Sequence, residues 1–226
     1  MNGAAMWRLY HFTLCPFSRK VRFALAVKGV THELVMERPW EKRSAFTALN
    51  PAGQTPVMQQ GHIVLADSVA ILEHFEEVVE RTGLLGPKPE DRAETRRLVA
   101  WFDQKFYAEV NALLLAERMY KRAVLRASPD AAVLRQAGRM ADVHLDYIDY
   151  LLERRAWLGG NQFGLADIAA AAHLSVADYL SGIDWDGHDP AKTWYSAIKS
   201  RPTFRPLLAE RFEGLQPPPH YDKLDF

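Results

Sequence analysis

Residues 50–77, NPAGQTPVMQQGHIVLADSVAILEHFEE, constrain the fold more than any other part of the chain. Asn50-Pro51-Ala52-Gly53 is turn chemistry, because Asn and Gly accept backbone angles that other residues resist. Thr55-Pro56-Val57-Met58 then opens a short apolar run. A proline cannot donate to a ladder, so Pro56 belongs at the first residue of a strand or on an edge. The Thr55-Pro56 bond held there is a candidate cis peptide. Gln59-Gln60-Gly61-His62 reads as the loop of a hairpin, and Ile63-Val64-Leu65 as its second strand. Asp67-Ser68 caps a helix whose apolar positions Val69, Ile71, Leu72 and Phe75 fall mainly on one face. A proline-headed strand edge beside a hydroxyl at a helix N-terminus is a place where a small peptide or thiol peptide can be held.

The flanking segments extend this pattern. WRLYHF at residues 7–12 alternates and is rich in aromatics, which predicts a strand. Pro16 suits the first turn of a helix that runs on Phe17, Val21, Ala24 and Leu25 to Gly29. THELVM at residues 31–36 predicts a second strand, and residues 42–49 a short helix. A strand, helix and strand in succession imply a parallel pair, to which the hairpin adds antiparallel strands.

After Phe75 the composition shifts. GLLGPKP at residues 83–89 is a linker by its Gly and Pro, and no strand pattern follows. Residues 93–127 and 130–155 predict long helices, the first with room for a kink. Residues 166–180 are apolar and rich in small side chains, as expected of a buried central helix. Residues 191–199 and 203–213 predict shorter helices. QPPPHYDKLDF at residues 216–226 is extended. The expected organisation is an α/β domain over 1–84, a linker over 85–90, an all-α domain over 91–215 and a tail over 216–226.

Composition excludes several functions. Lys+Arg and Asp+Glu number 28 each among 226 residues, so no global field draws the chain to nucleic acid or an anionic membrane. The apolar run at 168–176 is too short to cross a bilayer, so no membrane insertion is expected. Cys15 is the single cysteine, which rules out an internal disulfide and a thiolate zinc site. The scattered histidines show no ligand spacing, and no metal is expected. The N-terminus lacks a basic segment followed by a long apolar one, so a cytoplasmic protein is expected.

Four segments together resemble the cytosolic glutathione S-transferases over nearly the whole length: residues 15–22 (CPFSRKVR), Asn50-Pro51-x-Gly53-x-Thr55-Pro56, Ala66-Asp67-Ser68-x-Ala70-Ile71 and Leu165-Ala166-Asp167-Ile168. The resemblance implies a thioredoxin-like N-terminal domain and an all-helical C-terminal domain. It makes Pro56 a cis-proline, Thr55 the backbone partner of the cysteinyl part of glutathione, and Asp67 and Ser68 the holders of its γ-glutamyl end. Asp167 falls in the folding motif of the buried helix. The family has Ser or Thr three residues earlier, where this chain has Gly164.

Cys15 stands at the position of the family's catalytic Ser or Cys, where a helix N-terminus and nearby Arg19 and Lys20 would favour a thiolate. A small buried residue in a tight turn is the competing reading, and it carries twice the weight. Tyr10 lies too early in the first strand to replace it, and Thr13 is a minor candidate. Asp67-Ser68 is a good helix cap with or without a ligand. A glutathione carboxylate would want a cation, for which Arg38 and Lys42 are available.

Three features fit protein binding better. Trp40 sits in a polar loop, packed or serving as an anchor. Arg118, Arg122 and Arg126 form a basic stripe, although a solvated helix end is the commoner meaning of such a pattern. Tyr221, Leu224 and Phe226 put apolar groups into the tail, which therefore docks on its own chain or on a partner. RPWEKR, ERMYKR and HYDKLDF also resemble the transferase-like proteins of bacterial cell division. That resemblance implies a homodimer that binds filaments of the tubulin-like GTPase FtsZ at the division site and regulates their curvature and constriction, without catalysis or a cofactor. Trp40, Arg118, Arg122, Tyr221, Asp225 and Phe226 become the expected partner contacts. The alternative is a glutathione transferase or thiol-disulfide enzyme using Cys15.

Overall fold

A computed structural model describes residues 6–79 and 83–224. The chain divides into two compact units, Met1–Gly83 and Leu84–Phe226.

The first unit contains β1 (Trp7–His11), α1 (Pro16–Lys28), β2 (His32–Met36), a single 3-10 turn (Pro39–Glu41), α2 (Ser44–Leu49), β3 (Val57–Gln60), β4 (Ile63–Ala66) and α3 (Ser68–Val78). The sheet order is β2-β1-β3-β4. β1 runs parallel to β2 and antiparallel to β3, and β3 pairs antiparallel with β4. Pro16 opens α1, and Gly29, at φ 68, closes it in the left-handed conformation that glycine adopts without strain. Leu9, Val57, Met58, Ile71, Leu72 and Phe75 are buried and supply apolar core.

The hairpin differs from expectation. Gln59 and Gln60 are strand residues, paired with Val64 and Ile63, and only Gly61 and His62 make the turn. Polar side chains argued for a loop, but Gln59 Oε1 accepts the Tyr10 hydroxyl at 3.1 Å, which satisfies a glutamine within the sheet.

The second unit is helical apart from two isolated bridges, Trp157 with Gly160 and Phe212 with Leu215. α4 (Pro89–Ala100) continues as a wide-turned segment (Trp101–Asn111), one α turn labelled α5 (Ala112–Leu114), and a second wide-turned segment (Leu115–Val124). In the wide turns the amide of Ala112 reaches the carbonyl of Tyr107, and that of Leu125 reaches Tyr120, five residues back rather than four. Then come α6 (Ala131–Leu152), α7 (Leu165–Tyr179), α8 (Asp189–Lys199) and α9 (Arg205–Ala209). Every residue of α7 is buried. Alanines at 169–172 let neighbouring helices approach closely, and α4 and its wide-turned continuation pack on it.

Asp167, wholly buried near the start of α7, fastens that helix. Its Oδ1 accepts from the Leu158 amide and the Trp194 indole at 2.9 Å each, and its Oδ2 accepts from the Gly164 amide at 3.0 Å. Burial raises its carboxyl to about 6 against the pull of these donors. Gly164 is more than a weak substitute for Ser or Thr. A Cβ there would stand 2.7 Å from the Leu84 carbonyl, which already accepts the Leu165 amide at 2.8 Å.

Candidate functional site

A cleft of about 200 Å³ in the first unit is lined by Phe17, Asn50, Ala52, Gln54, Thr55, Pro56, Ala66, Asp67 and Ser68. Three sequence-distant segments form it. Asn50 staples its own turn, its Oδ1 accepting from the Ala52 amide at 3.1 Å and its Nδ2 donating to the Gln54 carbonyl at 2.8 Å. That staple presents Thr55-Pro56, whose peptide bond is cis. From the other side β4 delivers Ala66 to the start of α3. Asp67 sits at φ 77 and ψ 135, a strained position for a residue with a side chain, and its Oδ1 accepts from the Val69 amide at 2.7 Å. Ser68 is buried beside it.

The structure therefore brings Thr55, Pro56, Asp67 and Ser68 to one surface. None of the nine lining residues is cationic. Arg38 has its guanidinium 3.4 Å from Glu41, and neither it nor Lys42 lines this cleft.

Cys15 stands at the N-cap of α1. Its sulfur accepts from the Ser18 amide at 3.4 Å, and its thiol donates to the Thr55 carbonyl at 3.5 Å. The thiol thus ties the start of the helix to the proline-headed strand. The expected cationic surroundings take a different form. Arg19 and Lys20 are both fully buried; Arg19 Nε donates to the Thr13 carbonyl at 2.8 Å, and the Lys20 ammonium lies 5.8 Å from the centre of the Phe17 ring. Thr13 is buried, with its hydroxyl directed to the Met36 sulfur at 3.9 Å.

Trp40, in the 3-10 turn, is half-buried and meets the Phe12 ring edge-on at 5.0 Å. Arg118 is half-buried and Arg122 exposed, both in the second wide-turned segment, and exposed Arg126 lies just beyond it. Burial, and then the nearby Arg122 charge, holds the Arg118 guanidinium below its ordinary range. Trp40 and the arginines lie in different units, so the expected partner contacts do not form one patch within either.

The tail requires a correction. Tyr221 is fully buried, its ring edge-on to Tyr179 at 5.1 Å, so it is core of the second unit and not a partner contact. Around it the Tyr179 hydroxyl donates to the Leu215 carbonyl and accepts from the Phe212 amide, at 2.9 Å each. His220 Nε2 meets Asp178 Oδ1 at 2.9 Å, and Arg211 Nη2 donates to Asp222 at 2.5 Å. Residues 211–222 form a strap over the end of α7. Asp225 and Phe226 lie outside the described residues. Of the two expected destinations for the tail, its own chain or a partner, Tyr221 takes its own chain, and the anchor Tyr179 reads in the sequence as one more residue of an apolar helix.

Known proteins match both units. Residues 9–83 match the glutathione S-transferase N-terminal domain, and residues 115–202 the glutathione S-transferase C-terminal domain. FtsZ-localized protein A of Caulobacter vibrioides is 50% identical over 222 residues, covering 96% of this chain and 97% of that protein. Glutathione S-transferase 3 of Zea mays is 31% identical, covering 94% and 96%. Among solved structures, FzlA from C. crescentus superposes with a TM-score of 0.95 at 49% identity, covering 98% of this chain and all of the other. A glutathione S-transferase from Rhodospirillum rubrum F11 does so at 0.95 and 45%, with the same coverage. The cis-proline cleft, the buried aspartate at the start of α7 and these full-length matches agree: the chain belongs to the glutathione S-transferase family.

Proposed function

We propose that this chain is a homodimeric transferase-fold protein that binds FtsZ filaments at the division site and regulates their curvature and constriction, without catalysis. The observation that carries the proposal is the 50% identity, over 96% of this chain, to a relative named for its localisation with FtsZ. One feature of the cleft supports a non-catalytic role: none of its nine lining residues offers a cation to a peptide carboxylate. A two-fold dimer presents each contact twice, so one dimer can bridge filament subunits and strengthen weak single contacts. Trp40, Arg118, Arg122 and the tail end at Asp225 and Phe226 are the proposed contacts. The direct test is co-sedimentation with polymerised FtsZ, with filament shape read by electron microscopy. Recovery of the chain in the pellet with curved filaments is expected; its retention in the supernatant at moderate salt would refute the proposal.

Thiol chemistry is the second reading, favoured by the position of Cys15 at a helix N-terminus beside the cis-proline strand. Millimolar glutathione would then raise the melting temperature, because a ligand that prefers the folded state stabilises it. The non-catalytic reading expects full filament activity from Cys15→Ala.

A further inference from the structure

We infer that Arg118, Arg122 and Arg126 form a docking stripe for an acidic, extended polypeptide segment. The inference deepens the filament-binding reading and rests on it only for the partner's identity. Arg118 and Arg122 stand one helical turn apart in the segment Leu115–Val124, and Arg126 follows two residues after its end. Among the described residues no carboxylate pairs with any of the three. The neighbouring acid that could do so is engaged elsewhere: Glu117 holds Lys121 at 3.0 Å, and its Oε2 accepts the Asp130 amide at 2.6 Å. Elsewhere this chain neutralises many of its surface cations, as in Arg8 with Glu33, Arg97 with Glu94, Lys105 with Glu109 and Arg154 with Glu153.

The helix dipole does not account for the stripe. It favours cations in the last turn and fades beyond it, whereas Arg118 lies farther back. Nor do the arginines serve as caps, since the Leu125 and Ala127 amides already occupy the Tyr120 and Lys121 carbonyls. Arg126 is the most telling of the three. It sits at φ 58, the left-handed position after a helix end where glycine is the low-strain residue. A side chain there carries a backbone cost that glycine would not. The strap passes close by, for a Cβ on Gly214 would lie 3.6 Å from Arg126 Nη1, and Leu125, 57% exposed, adds an apolar contact. Guanidinium forks pair with carboxylates in two-point geometry, which suits a run of Asp or Glu.

Fluorescence anisotropy with a labelled polyglutamate 15-mer, at low and moderate salt, tests the stripe on the full chain. The wild type should bind, with affinity falling as salt rises. Arg118→Glu/Arg122→Glu should weaken binding at least about tenfold, and Arg135→Glu/Arg139→Glu, on an exposed part of α6, should leave it unchanged. Arg126→Gly should melt no lower than the wild type yet bind more weakly, which a merely structural role would not produce. Absence of binding by the wild type, equal binding by the Arg118/Arg122 variant, or tighter binding of a single-stranded oligonucleotide than of polyglutamate would overturn the inference. Polyglutamate binding without FtsZ co-sedimentation would refute only the filament reading. Undiminished co-sedimentation by the Arg118/Arg122 variant would overturn the stripe as the filament contact and leave the filament reading standing.

Discussion

Restoring the family's usual serine, by Gly164→Ser, should destabilise this protein. Two favourable effects act at the N-cap of α7. A serine hydroxyl can accept an amide of the first turn, worth only a few tenths of a kcal/mol over glycine. Removing a glycine also reduces the entropy of the unfolded chain, worth about 0.4–1 kcal/mol where the backbone suits a side chain. At φ −155 and ψ −164 the position is extended and does suit one. Against these stands the Cβ, 2.7 Å from the Leu84 carbonyl oxygen and 3.7 Å from its carbon. That carbonyl cannot retreat freely, because it accepts the Leu165 amide at 2.8 Å. Overpacking of this kind costs about 1–3 kcal/mol. At the middle of these ranges the clash wins, for a net loss of about 1 kcal/mol, or roughly 2–4 °C in melting temperature at this chain length. Urea unfolding followed by far-ultraviolet circular dichroism would measure it. Gly164→Ala, which has the clash without the hydroxyl, separates the two effects and should fall below Gly164→Ser. A Gly164→Ser protein as stable as the wild type would refute the steric argument.

Three further outcomes are expected. Burial lowers the His188 pKa, but hydrogen bonds to Asp142 at 3.0 Å and Asp149 at 2.7 Å outweigh it and hold the imidazole above its usual value, with Asp146 at 3.9 Å adding charge. This contribution is complete below the ordinary histidine pKa and lost as pH rises through the raised one, so His188→Gln should flatten the fall in stability on the alkaline side, read from urea midpoints across pH. For Asp167, raised from 3.8 to about 6, the charged form is the disfavoured one in the fold. Stability should therefore drop by about 3 kcal/mol between those pH values and stay level above them, a step that Asp167→Asn should remove from the same midpoint curves. Cys15→Ala should lower stability by about 1 kcal/mol through loss of the α1 cap, and Cys15→Ser should recover it in a thermal melt.

Much of the fold was legible because punctuation residues state their own conformations. Pro16 and Gly29 bracket α1, and Asp67 caps α3. Four of the cleft residues, Thr55, Pro56, Asp67 and Ser68, were legible from the stretch 50–77, whereas Phe17 reaches the cleft from α1 and was not. Other features depend on tertiary partners. Gln59 reads as loop until the Tyr10 hydroxyl is placed within reach of its side chain. A wide-turned helix and an ordinary one share an apolar face over a few turns, so the widening over 101–124 leaves little trace in periodicity. Arg19 and Lys20 count as surface residues in any pattern, yet they are buried. The strain at Asp67 is invisible in sequence beyond the tolerance of Asp for positive φ.

The strap has a consequence for biosynthesis. The polar end of α7, Asp178 with Tyr179, finds partners at Leu215, Phe212 and His220, and the packing is closed by Tyr221, five residues from the end of this sequence. During synthesis these residues emerge after the rest of the second unit. The first unit has all its own strands while the second is still being made, but the second cannot finish its core before residues 211–222 have left the exit tunnel. A chain that stops before His220 would leave Tyr179 facing an unfilled site, so a truncation just past α9 becomes a folding defect.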